Sequence, residues 1–408
     1  MKTKGKTKTR RKKTRVAKAG TRTKSKTVGK TKAVIKKLAK KASIRRASKR
    51  KAPIAKTRAR PRPAAAPSQP GPAAPMPSRP ARGERISVVA GQLPRLDVVI
   101  GNNFGHLPMF VGAEKGIFAR HGIDARMKVV DTGTDMVNAM HNGEAQIGDM
   151  SVTTFLKAVH AGEPFKVIGI IMNDATRDNA DEPLAIVTRE GTGIAAGKVA
   201  DLKGKRIGLA RGQTSDEYFK MVLRRAGMKY EDLTIENIWS QFGLAPALRE
   251  GKVDAVVSWE PYVTAVLEQV AGSFLVIRGG HHMSYVMVAT AHGPTVASRP
   301  AVVRDFAAGL AGASHYTRNH RDESVEIFAK WVPNTDVAVG KKAIHHISYD
   351  PRLSPAVMRA FEAAEDEVLI NTLKGAPRLA VPDQFRPSFM AEVEKAHPEY
   401  FADLPPLK

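Results

Sequence analysis

The 408-residue sequence contains no cysteine. That excludes disulfides, thiolate metal sites, cysteine nucleophiles and a lipidated cysteine anchor. No apolar run approaches the roughly 18 residues of a membrane-spanning helix. A secretory leader would put an apolar stretch of about 7–15 residues after a basic start. The basic start is there and the apolar stretch is not, which also counts against reading Arg10-Arg11 as a twin-arginine leader. HExxH, P-loop, GxSxG and GxGxxG patterns in a strand–loop–helix setting are missing as well. His281-His282 and His345-His346 are doublets. Neighbouring residues of a strand point to opposite faces, so each doublet offers at most one ligand per face, whereas zinc takes three or four. The expectation is therefore a non-enzyme without metal or cofactor.

Acidic residues are nearly missing from the first fifth of the chain. Residues 1–85 hold 31 of the 66 Lys and Arg and one acid, Glu84, for about +30. The remaining 35 basic residues face 38 acidic ones, for about −3. The sequence pI near 10.2 thus belongs to the tail and says little about the rest. The first sixty residues also lack aromatics and have few large apolar groups, so they cannot bury enough surface to offset chain entropy. They read as a disordered Lys/Arg-rich tail (1–60), with nucleic acid or an anionic membrane surface as its candidate partners. Eight prolines between positions 61 and 80 make residues 61–85 a Pro/Ala-rich, extended linker.

From Leu96 onward, short β-type runs alternate with helix-length segments, the pattern of an α/β fold with a largely parallel sheet. LDVVIG (96–101), MKVV (127–130), AQIGDM (145–150) and FKVIGII (165–171) read as strands of a first unit, with helices over 107–122, from 133 and over 152–162. KRIGLA (205–210), TIENIWS (234–240), DAVVSWE (254–260) and FLVIRGG (274–280) read as strands of a second. DEPLAIVTRE (181–190) and MSYVMVATA (283–291) are candidate strands carrying the chain out and back, and helices dominate thereafter. This gives a first lobe begun by residues 86–182, a second lobe of 183–282, and a return to the first lobe with C-terminal helices over 283–408.

In open α/β sheets, ligands bind beyond the carboxyl ends of strands, where helices begin. Four loops there share one character: Asn102–His106, Thr132–Asp135, Asp149–Thr154 and Arg211–Ser215. Each places hydroxyl, amide or glycine residues at a helix start, where free N–H groups and the positive dipole end can hold an anion. Ordinary capping is the competing explanation, and Thr214-x-x-Glu217 has the form of a capping box. Trp259-Glu260-Pro261 ends a strand; the indole offers a stacking or packing surface, and Glu260 a partner for a ligand amine or a local cap. Trp239 ends the preceding strand with the same two readings, and Asn173 falls either in the cleft or in a turn.

Four stretches carry a family resemblance: NNFGHLPMFVGAEKGIFARHGID, GTDMVNAMHNGEAQIGDMSVTTFLKAVHAG, ADLKGKRIGLARGQTSDEYFKMVLRRAG and GKVDAVVSWEPYV. In that order they resemble the nitrate/sulfonate/taurine-type substrate-binding proteins of ABC transporters, over about residues 96–400. The wider group includes binding proteins for pyrimidine precursors of thiamine. The resemblance implies a two-lobed type II periplasmic-binding-protein fold with a two-strand hinge, closing on a small-molecule ligand. Carried over by position, the ligand-binding residues are Asn103, Phe104, Thr134, Met150, Ser151, Gln213, Thr214, Ser215, Trp259 and Glu260. Asn173 and Trp239 join them from the loop reading. The implied partners are the permease and ATPase subunits of an importer, the implied address is periplasmic, and the family's habit is monomeric. Related pyrimidine-synthase enzymes carry a cysteine-rich motif that this chain lacks. The basic tail is foreign to the family.

Overall fold

A computed structural model describes residues 93–407; the tail and linker expected over residues 1–85 lie outside the described residues. Ten strands are present among them: β1 (Arg95–Gly101), β2 (Asp124–Val130), β3 (Ile147–Ser151), β4 (Phe165–Asn173), β5 (Leu184–Arg189), β6 (Arg206–Leu209), β7 (Thr234–Asn237), β8 (Ala255–Trp259), β9 (Ser273–Arg278) and β10 (Val286–His292). They form two five-stranded sheets, in the orders β2-β1-β3-β10-β4 and β7-β6-β8-β5-β9.

Both sheets are mixed, where the sequence suggests largely parallel ones. β1 pairs in parallel with β2 and β3, as β6 does with β7 and β8. β10 lies antiparallel between β3 and β4, and β5 antiparallel between β8 and β9. The antiparallel member of each sheet is thus the strand by which the chain has just arrived from the other lobe. Its inside position explains its composition: every residue of VMVATA in β10 is buried, as interior strands covered on both faces require.

The two connections between lobes are irregular segments between β4 and β5 and between β9 and β10. They are laced together, with Tyr285 N–H donating to Ala180 O at 2.9 Å and Asp174 N–H to Tyr285 O at 3.2 Å. The Asp181 carboxylate accepts from the N–H groups of His281, His282 and Met283.

Helices follow the strands: α1 (Leu107–Glu114), α2 (Ile117–Arg120), α3 (Gly133–His141), α4 (Val152–His160), α5 (Thr214–Arg225), α6 (Leu244–Arg249) and α7 (Tyr262–Gln269), then a largely helical C-terminal part. The single helix expected over 107–122 is two, because Gly116 adopts φ +64°, a left-handed conformation that ends α1. The C-terminal helix Pro300–Asn319 packs its apolar stripe of Val303, Phe306, Ala307 and Leu310 on the first lobe. There Phe118 stacks on Phe306 at 4.8 Å between ring centres. A Cβ at Gly112 would stand 2.4 Å from the Phe118 ring and one at Gly309 2.6 Å, so both glycines are required for this close approach.

Candidate functional site

The loops after β1, β2, β3, β6, β7 and β8 converge on one small cavity of about 40 Å³ between the lobes. Seven of the twelve candidate residues line it: Asn103, Met150 and Ser151 from the first lobe, and Gln213, Thr214, Trp239 and Trp259 from the second. Their placement follows from how each strand ends. Asn103 leaves β1 and its Oδ1 accepts from Gly105 N–H at 2.8 Å, starting a 3-10 turn. Thr132, which also lines the cavity, caps α3 by accepting from Asp135 N–H. Ser151 caps α4 by accepting from Thr154 N–H at 3.3 Å.

In the second lobe the capping box at Thr214 does not form. The N-cap of α5 is Gln213, whose side chain makes no capping bond, and Thr214 is the first helical residue. The Thr214 hydroxyl instead donates across the cleft to Ser151 Oγ at 3.1 Å. The Glu217 carboxylate likewise reaches Lys157 of α4 at 2.9 Å. Tyr262 at the start of α7 donates to the Asn102 carbonyl at 2.8 Å. These contacts hold the lobes together over the cavity.

Five candidates lie elsewhere. Phe104 is fully buried edge-on against Phe328, 4.9 Å between ring centres, as a core residue. Thr134 is exposed on the first turn of α3, where Thr132 one residue before the helix faces the cavity in its place. Asn173 is sealed at the end of β4 with its amide unpartnered, and Ser215 is sealed in the first turn of α5. Glu260 is buried; Arg278 at 2.6 Å and the Thr264 N–H and hydroxyl occupy its carboxylate, so it acts as a local cap and ion-pair partner.

Two lining groups are open donors. Gln241 Oε1 accepts from Ser258 Oγ at 2.6 Å, which fixes the amide and leaves Nε2 buried without a partner. The indole Nε1 of Trp259 is likewise buried and unpartnered. A buried donor without an acceptor costs about 1–3 kcal/mol, a cost that a ligand oxygen would remove. No lysine or arginine lines the cavity; its charged or chargeable members are Asp131, His106 and Tyr285. Asp131 is exposed and accepts from Asn102 Nδ2 at 3.0 Å. His106 is 1% exposed, with Nδ1 2.9 Å from the fully buried Asp149. Burial raises the Asp149 carboxyl above its ordinary value, and His106 offsets only part of that rise. Neutral donors and the starts of α3, α4 and α5 therefore face this space, an arrangement suited to an oxoanion.

Gln241 and His106 both fall in loops that the sequence marks out, yet neither is among the ligand-binding residues it nominates. His106 is visible in the first loop, but its partner lies 43 positions away on β3. Gln241 needs Ser258 to show which end of its amide is free. Among the described residues, no cluster of His, Asp and Glu has a metal-holding arrangement, and no helix is long and apolar enough to cross a membrane.

Comparison with known proteins agrees with this architecture. A Brucella abortus protein named as a binding protein is 24% identical over 226 residues, covering 54% of this chain and 66% of its own length. An Escherichia coli protein named as an aliphatic-sulfonates-binding protein is 25% identical over 237 residues, 57% of this chain and 70% of that one. The 4-amino-5-hydroxymethyl-2-methylpyrimidine phosphate synthase of Uromyces fabae is 30% identical over 165 residues, 40% of this chain and 45% of the enzyme. Among solved structures, the periplasmic aliphatic sulphonate binding protein of E. coli matches with a TM-score of 0.59 at 20% identity, over 71% of this chain and 97% of that one. The desulfurization enzyme DSZB matches with a TM-score of 0.55 at 18% identity, over 74% and 99%. The fold is thus the two-lobed type II periplasmic-binding-protein fold, which serves binding proteins and enzymes alike. The family description "NMT1/THI5 like" fits residues 103–324, more than half of the sequence, and the chain belongs to that family.

Proposed function

We propose that this chain is the substrate-binding component of an ABC importer and captures a small oxoanion of the sulfonate type by closing its lobes. The observation that carries the reading is the pair of unpartnered donors, Gln241 Nε2 and Trp259 Nε1, in a cavity onto which helix starts from both lobes converge. A sulfonate presents three acceptor oxygens around one charge, which such a set of neutral donors satisfies without a fixed cation. The cavity's small size suits a compact head group. Asn103, Thr132, Met150, Ser151, Gln213, Thr214 and Trp239 complete the proposed contact surface. Delivery would be to permease and ATPase subunits from a periplasmic address, with the protein acting as a monomer and making no bond itself.

The test is a thermal-shift panel of ethanesulfonate, taurine, nitrate, short carboxylates and pyrimidines on the full chain. A ligand at about 100 times its Kd stabilises the folded state by about 2.7 kcal/mol. A sulfonate should give the largest rise in Tm, and a well-folded protein that none of them shifts would overturn the reading. The 30% identity to the Uromyces fabae synthase favours one alternative, a pyrimidine precursor held in the same cavity. A rise with pyrimidines alone supports that alternative as a binding role, and product formation with turnover would make it an enzyme.

The charge of about +30 within residues 1–85 supports a separate role for that segment, retention on nucleic acid or an anionic membrane. Binding to DNA or to anionic vesicles should disappear with added salt and on deletion of residues 1–85. Persistence after the deletion would place the affinity in the folded part, against its charge of about −3.

A further inference from the structure

The His106–Asp149 pair has no capping or core-packing explanation. Asp149 sits on β3, fully buried, and neither of its carboxylate oxygens has a well-directed hydrogen bond. His106 Nδ1 is its close neighbour at 2.9 Å, off the ideal hydrogen-bond direction. The other edge of the ring lies against Gly101, itself a cavity-lining residue: a Cβ there would come within 2.3 Å of His106 Nε2. One nitrogen of the imidazole thus faces a buried carboxylate, and the other lies beside the cavity wall.

We infer that His106 takes up a proton when an oxoanion enters the cavity, so that capture is linked to proton uptake through the His106–Asp149 pair. This rests on the oxoanion reading above. An anion entering this space meets the Asp131 carboxylate and no lysine or arginine among the lining residues, while Asp149 lies buried 2.9 Å from the His106 ring. Uncompensated charge in a buried site is costly, and the usual relief is a change of protonation. Converting His106 to imidazolium leaves Nδ1–H toward Asp149 and turns Nε2 from an acceptor into a donor. The proton comes from solvent, no bond is made or broken elsewhere, and the net charge of the loaded site is unchanged by a monoanion.

The groups facing His106 are consistent with that role. Asp149 approaches from β3, and Asp131 lies across the cavity after β2. Tyr285 lies on the crossover before β10, where burial and the nearby carboxylates of Asp174 and Asp149 push its hydroxyl up, so it stays neutral. From α3 the neighbour at this wall is Met136, without charge.

Calorimetry on the full chain tests the inference, with ethanesulfonate and nitrate as probes because neither titrates near neutral pH. Binding heats are compared at pH 7.0 in Bis-Tris and in Tris, which hold no oxoanion and whose ionisation heats differ. The expected result is a buffer-dependent heat corresponding to uptake of a sizeable fraction of a proton, with affinity falling by up to about tenfold per pH unit on the alkaline side. His106→Gln should abolish the buffer dependence, and Asp149→Asn should move the pH profile toward acid. Binding with a buffer-independent heat and flat pH dependence would overturn the inference and leave the oxoanion reading standing. Buffer dependence that survives in His106→Gln would overturn it as well. Absence of any binding by the folded wild-type chain would overturn both. The wild-type buffer comparison decides the matter even if a variant does not fold.

Discussion

The first lobe's sheet, β2-β1-β3-β10-β4, and the second's, β7-β6-β8-β5-β9, correspond strand for strand, yet the groups at their carboxyl edges differ in kind. In the first lobe, Asn103, Thr132 and Ser151 each accept a backbone N–H of their own helix or turn, so their oxygens are already committed. In the second, no side chain caps α5, and Gln241 and Trp259 hold open donors. The first lobe adds a buried titratable pair, the lining His106 with Asp149 2.9 Å from its Nδ1. Equivalent positions in a shared topology thus differ: on the proposed reading, the second lobe would supply open hydrogen-bond donors and the first the means to adjust charge, with helix starts from both.

If that division holds, the most damaging single change is in the second lobe. Gln241→Leu removes a fixed donor and leaves Ser258 without its acceptor, so sulfonate affinity should fall by about 10- to 100-fold. Calorimetry reads the loss, and an effect below threefold would break the comparison. Trp259→Phe keeps a ring and removes only the N–H, for an expected loss of about tenfold. Its selectivity should shift toward ligands with fewer oxygens, as competition between ethanesulfonate and an uncharged analogue would show.

In the first lobe, Ser151→Ala removes the cap of α4 and the Thr214 link across the cleft. It should cost about 1 kcal/mol of stability by urea unfolding and only a few-fold in affinity. A larger loss of binding than in Gln241→Leu would reverse the assignment of roles.

The smallest effect concerns acid. Arg318 holds the Asp403 carboxyl down to about 2, below its ordinary value, so this pair stabilises the fold at neutral pH. That contribution is lost as pH falls from about 4 toward 2. Asp403→Asn should flatten the decline of Tm over this range and leave ligand affinity unchanged at pH 7.

The sequence shows the lobes because strand runs such as LDVVIG and DAVVSW are locally apolar and end in loops of shared character. It shows less of the site, since a capping motif and a cleft contact use the same residues. Thr214-x-x-Glu217 satisfies the capping pattern, and one residue of helix phase sends both side chains to the other lobe instead. The parallel-sheet expectation fails for a similar reason: nothing in MSYVMVATA records that β10 will enter between β3 and β4. The donors of Gln241 and Trp259 are free only because tertiary packing withholds acceptors from them, which no local pattern encodes.

The reciprocal placement of β5 and β10 also sets an order of assembly. All five strands of the second sheet come from one stretch, β5 through β9, whereas the first sheet is complete only when β10 arrives. On a ribosome, the second lobe can therefore finish its sheet while the first still has an open edge between β3 and β4. The later lobe in sequence is the first to have all its strands available, and the chain resembles a small domain inserted into a larger one.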